Sequence, residues 1–215
     1  MLSLLIFKPR PAILMPVALL VGRHWRAIAG GLAGGAFICL ATTFLLGGKV
    51  WLQWLQLGLP DAHQILIQGH SIGHEESTSL FWALRNAGAG LSEAFLAQGL
   101  CVLFALAVVW HTWSHPYFEE LDRIAITVIA STLVAPYLFI VDLVALEIVL
   151  ALVVERKKWC IGGFDALLWL WPMLSPAIFI WTGWLLSPLV MLLGLLYFWV
   201  PGVLGFRTTP ASQDA

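Results

Sequence analysis

The side chains of this chain that could do chemistry are a few cations and carboxylates set among apolar residues. Lys8 and Arg10 flank Pro9, with Pro11 following, so two cations meet at a proline-stiffened junction. Such a pair can hold an anionic group such as a lipid phosphate, arginine bidentately and lysine as a point charge. The plainer reading is that both end a helix and snorkel to the interface. Arg85 is a third cation outside the apolar runs. Asp142 and Glu147 follow Ala135-Pro136-Tyr137-Leu138-Phe139. A carboxylate facing lipid costs roughly 2.5–3.5 kcal/mol on insertion scales, so both are expected to face the bundle interior or water, lining a cavity with Tyr137. Asp142 could also simply cap the first-turn N–H groups of the helix it opens. Glu147 lies too deep for that and is expected to be protonated or paired. His70 and His74 stand at a spacing that would chelate a metal on a helix, but Gly73 between them argues for a solvated loop. No metal or cofactor is assigned.

These groups need elements to position them, and composition says which kind. Of 215 residues 60% are hydrophobic and 11% charged, and the mean hydropathy is +0.91. That leaves too little polar surface to cover a soluble globule, and the long apolar runs predict helices where a barrel would show short alternating segments. The expected fold is all-α, a polytopic transmembrane bundle of about seven hydrophobic segments. The net charge of −1 and the lack of a basic stripe give no sign of a nucleic-acid partner. Cys39, Cys101 and Cys160 form an odd set with no disulfide framework.

The predicted spans run from Ala12 to Gly22, Ala27 to Leu46, Ala94 to Trp110, Arg123 to Ala135, Leu143 to Val154, Phe164 to Trp181 and Leu185 to Leu204. Glycines 30, 31, 34 and 35 give the second of these a small-residue face. Val50 to Leu57 reads as a short helix lying in the interface, and Leu80 to Asn86 as a further interfacial turn. Pro136 should end or kink the helix that reaches it, with a new one starting near Asp142. Pro172, Pro176 and Pro188 are expected to interrupt the last two spans. Residues 1–206 thus form one transmembrane domain with an outer loop at 47–92, and 207–215 are a polar tail. Met1 to Phe7 is too short to span and reads as the tail of a helix whose beginning is missing.

Alternating the spans puts Arg23, Arg26, Arg123, Arg156, Lys157, Lys158 and Arg207 on one face, and Lys8, Arg10, Lys49 and Arg85 on the other. By the positive-inside rule the first face is cytoplasmic. The Pro136 break and the Lys8 junction then face outward.

Phe7-Lys8-Pro9, the run from Pro16 into Gly22-Arg23-His24-Trp25-Arg26, Ser79-Leu80-Phe81 leading to Arg85, and Pro136-Tyr137-Leu138-Phe139 with Asp142-Leu143 together resemble glycosyltransferase family 87. That family is similar to the polyprenyl-phosphate-mannose-dependent α-mannosyltransferases. Val141 stands where the family pattern has a tyrosine before the aspartate. The resemblance implies the C-terminal half of a type C glycosyltransferase fold in a bacterial inner (plasma) membrane. It implies transfer of a hexose, mannose first, from a polyprenyl-phosphate donor to a lipid or glycan acceptor at the extracytoplasmic face. Lys8, Arg10 and Arg85 would contact the donor phosphate. The catalytic base, an acidic residue of the first outer loop in such enzymes, is expected upstream of this chain, in an N-terminal half. An alternative reading is a non-catalytic carrier or lipid-binding partner subunit using the Pro136 break and Glu147 as a pathway. An internal repeat would favour it, and the sequence shows none.

Overall fold

The computed structural model describes residues 13–58, 60, 77–136 and 139–204. Among these the chain is all-α, with nine α-helices and no strand. They are α1 (Met15–Val21), α2 (Trp25–Leu46), α3 (Lys49–Gln53, running into a π turn, Trp54–Gly58), α4 (Leu80–Asn86), α5 (Leu91–Ser114), α6 (Glu120–Val134), α7 (Val144–Arg156), α8 (Gly163–Thr182) and α9 (Ser187–Val203). A 3-10 turn, Ile140–Leu143, leads into α7. Helices α2, α5 and α8 are long and apolar enough to cross a membrane, and α9 is a shorter apolar helix.

The bundle is built around α6. Asp122 and every residue from Ala125 to Val134 are buried, which only a helix with neighbours on all sides can achieve. It packs most extensively against α5 and α9, then α7 and α1. Ile126, Ile129 and Leu133 of α6 share one core with Ala105 and Val109 of α5, Leu146 and Leu150 of α7, and Met191, Leu195 and Phe198 of α9. Gly194 lets α8 close on α9, since a Cβ there would lie 3.1 Å from Leu168 Cδ2. Threonine and serine on α6 return their hydroxyls to the preceding turn, Thr127 to Arg123 O at 2.8 Å and Ser131 to Thr127 O at 2.7 Å. In this way α6 carries polar atoms without leaving them unpaired.

Side-chain contacts sort the charges onto two ends. At one end Arg156, closing α7, donates to Asp122 at 2.7 Å and to Glu119 at 2.6 Å. Beside it Lys157 donates to Asp165 at 2.6 Å and to the Tyr197 hydroxyl at 3.1 Å, tying together α7, α8 and α9. Trp199 Nε1 donates to His111 Nδ1 at 3.2 Å, and the Arg123 guanidinium lies 5.8 Å from the Trp113 ring. Arg23, Arg26 and Lys158 belong to this end too. Arg85 falls at the other, as the sequence groups it; Lys8, Arg10 and Arg207 lie outside the described residues.

Several expectations change in detail. Leu80–Asn86 is a docked helix and not an interfacial turn, because Phe81 and Trp82 are buried against Ala94 and Leu185. Pro172 and Pro176 lie inside α8 without ending it, and Pro188 sits in the first turn of α9. A proline's missing donor is tolerated within a bundle where neighbours re-satisfy the backbone and side chains hold the turn. Here Ser175 is buried and its hydroxyl lies 2.7 Å from that of Ser187, which also accepts from Trp171 Nε1 at 3.1 Å. Val50–Leu57 is helical and exposed as expected, with Trp51 Nε1 donating to Thr43 Oγ1 at 2.8 Å. All three cysteines are free.

Two predictions follow from the charged end. The Asp122 side chain is 2% exposed and that of Glu119 36%. Removing Arg156 takes from the buried Asp122 carboxylate the counter-charge that offsets its desolvation, so Arg156→Gln should lower stability by about 2–3 kcal/mol. Glu119→Gln should change it by less than about 1 kcal/mol; thermal unfolding in detergent micelles reads both. Burial opposes the charge on Lys157, but the Asp165 carboxylate and the Tyr197 hydroxyl outweigh it and raise its pKa above the ordinary lysine value. A raised folded pKa makes this contribution complete below the unfolded value of about 10.4 and lost only as pH climbs through the higher folded one. The difference in Tm between wild type and Lys157→Met should therefore hold steady from neutral pH to about 10 and shrink above it.

Candidate functional site

The Pro136 break is where sequence and structure meet most closely. The ring of Pro136 disfavours helical backbone at Ala135, and Ala135 sits at φ −81°, ψ 113° while α6 ends at Val134. The last carbonyls of α6 are then left without helical partners in an interior that holds no bulk water. Gln98 of α5 supplies what they need. Its Nε2 donates to Leu133 O at 2.8 Å and to Val134 O at 3.1 Å, while its Oε1 accepts from Phe81 N at 3.0 Å. One buried amide thus closes the C-terminus of α6 and opens the N-terminus of α4.

Around this amide lies a small polar floor. Ser77, Thr78 and Ser79 are fully buried. Ser79 caps α4, its hydroxyl accepting from Trp82 N at 3.2 Å, and Ser77 Oγ accepts from Ser79 N at 3.2 Å. An isolated antiparallel bridge joins Ser77 to Phe139, bringing the strand-like approach to α4 beside the turn that follows the break. Leu14, four residues after Arg10, donates its N–H to Ser131 Oγ at 3.3 Å, so α1 also starts at this end.

Asp142 is buried at this end but does not cap forward as expected. It lies inside the 3-10 turn, and its Oδ2 accepts from Phe139 N at 3.3 Å while its own N–H donates to Phe139 O at 2.9 Å. Three helical positions separate it from the turn's start, so its carboxylate reaches back to the N-cap and not on to the first-turn donors. Glu147 falls in the first turn of α7, and among the described residues its buried Oε1 has no hydrogen-bond partner. It is about 7.5 Å further along the helix than Asp142 by helical rise. Arg85 closes α4, half-buried, donating Nη1 to Ala89 O at 3.0 Å. Its Nε is buried with no partner among the described residues. No ion pair joins Arg85, Asp142 and Glu147 among the described residues. Lys8, Arg10, Tyr137, His70 and His74 lie outside those residues.

The structure therefore brings Arg85 and Asp142 to one end of the bundle, with Glu147 set deeper. Gln98 is the residue that reading the sequence missed. A glutamine within an apolar span should turn inward, and that signal was there to be used. Replacing Gln98 by Leu orphans Phe81 N, Leu133 O and Val134 O, at about 1–3 kcal/mol for each buried unsatisfied group. Gln98→Leu should unfold well below wild type in a detergent melt, and Gln98→Glu, which keeps only the acceptor, should fall between them.

The sequence profile of glycosyltransferase family 87 matches residues 1–137. That stretch ends at the break, so it takes in Lys8, Arg10, Arg85 and Tyr137 and leaves out Asp142 and Glu147. No curated protein and no solved structure matches the chain. The match spans well over half of the sequence, and with three apolar helices of membrane-crossing length it makes this a membrane protein that belongs to glycosyltransferase family 87.

Proposed function

We propose that this chain serves hexosyl transfer, mannose first, from a polyprenyl-phosphate donor, and that its part in the reaction is to hold the donor phosphate. The observation that carries the reading is the Arg85 guanidinium. It is half-buried at the end of the bundle that holds the Pro136 break, with its buried Nε unspent among the described residues. A cation with donors to spare in a desolvated place stabilises charge as it develops on a leaving phosphate. Lys8 and Arg10 would supply two further cations, and Leu14 at this same end is consistent with that. Asp142 would shape the cavity wall through the Phe139 turn.

On this reading the arginine-rich end lies in the cytoplasm, and the donor site opens on the extracytoplasmic face of a bacterial inner membrane that the chain crosses several times. The acceptor is a lipid or a glycan, and no side chain of this sequence is assigned the role of base.

Purified protein in micelles should bind polyprenyl phosphate in preference to the matching polyprenol. Arg85→Gln, Lys8→Gln and Arg10→Gln should each weaken that preference by about fivefold, as expected for one cation beside one anion. Membranes supplied with labelled polyprenyl-phosphate mannose or glucose then identify the sugar. Binding that ignores the phosphate, or all three substitutions, would sink the proposal.

A further inference from the structure

At the opposite end of the bundle from Arg85, the link between α1 and α2 forms a second cationic feature that phosphate-donor binding does not use. Arg23, His24, Trp25, Arg26 and Ala27 line an open pocket of about 490 Å³. Both arginines are exposed, and among the described residues neither forms an ion pair or a side-chain hydrogen bond. This sets them apart from Arg156 and Lys157, whose side chains are spent on Glu119, Asp122 and Asp165, and from Arg123, which donates to His115 O. No carboxylate lines the pocket.

The backbone adds a reason to regard Arg23 as more than a stray surface charge. The α1 helix closes with His24 N donating to Leu19 O at 2.9 Å and Arg23 N to Leu20 O at 3.2 Å, a Schellman-type turn that favours glycine at the left-handed position. Arg23 occupies it at φ 55°, although an L side chain there is strained and glycine is not. Trp25 beside it is 62% exposed, as suits an indole at headgroup depth. Further along α2, Leu32, Phe37 and Leu40 are exposed.

We propose that Arg23 and Arg26 bind the phosphate of an anionic phospholipid headgroup, with Trp25 at the glycerol level and the acyl chains lying along α2. Two unspent guanidiniums match phosphodiester oxygens, and the apolar helix beneath gives the acyl chains a surface that free phosphate would not need.

The test is lipid retention by the purified full chain, read by native mass spectrometry after exchange into micelles containing phosphatidylglycerol and phosphatidylcholine. Wild type should keep phosphatidylglycerol preferentially. Arg23→Gly and Arg26→Gln should each reduce that preference by about fivefold. Arg23→Gly is the sharper variant, because it relieves the backbone while removing the cation, so its Tm should hold or rise as selectivity falls. Lys158 is the matched control: it is exposed at the same end and also lies at positive φ, 51°. Lys158→Gly should leave the preference intact. Equal losses from Lys158→Gly and Arg23→Gly would mean diffuse surface charge and would overturn the site. So would an unchanged preference in both arginine variants, or displacement of the lipid by inorganic phosphate at constant ionic strength.

Discussion

The carbonyls of Leu133 and Val134 have to be satisfied inside the bundle. A helix surrounded by other helices and lipid has no water to turn to at its end, and each unpaired group costs several kcal/mol in hydrocarbon, on the order of a whole domain's margin when summed. Pro136 makes the problem by ending α6 where it does, and Gln98 solves it with one amide that also fixes the first turn of α4. The placement of α4, and of Arg85 at its end, descends from that solution. The turn from Phe139 to Asp142 is held from two sides, by its own reciprocal bonds and by the bridge to Ser77.

The two ends of α6 are governed by different physics. At its C-terminus the partners are neutral and local in effect, a glutamine and a set of buried hydroxyls. At its N-terminus they are charges, with Asp122 buried beneath Arg156 and Lys157 beside it tying the end of α7 to Asp165 of α8 and Tyr197 of α9. A neutral end can admit a charged ligand without breaking existing ion pairs, whereas at the other end Arg156 and Lys157 are already held by carboxylates. The donor phosphate is proposed for the break end because the half-buried Arg85 keeps a donor unspent there among the described residues.

Much of this was legible in the sequence. Apolar runs and the charges between them gave most of the helices, although among the described residues only α2, α5 and α8 are long and apolar enough to cross a membrane where the sequence reading counts about seven segments. Pro136 announced the end of α6 because its effect is local. The tertiary pairings were not legible: Arg156 finds Asp122 and Glu119 more than thirty positions away, and nothing near any of them in sequence marks the partner. Leu80–Asn86 was misjudged because seven residues carry too little periodicity to separate a docked helix from one resting on the interface. The prolines of α8 were read by the rules of soluble helices, whereas Pro172 and Pro176 lie within a helix that continues through them. Asp142 was rightly placed at a helix start but wrongly aimed, since the position that caps and the position that is capped lie only three residues apart.

Helix α2 follows none of this logic. Of its residues only Gly35 is buried, although its 22 residues extend about 33 Å by helical rise, slightly more than a typical hydrocarbon core. It is joined to the rest through the turn at Arg23 and through Gly47, at φ 82°. A rod so held takes its slope from the bilayer and not from the bundle: in a thinner membrane it leans further over, in a thicker one it stands upright.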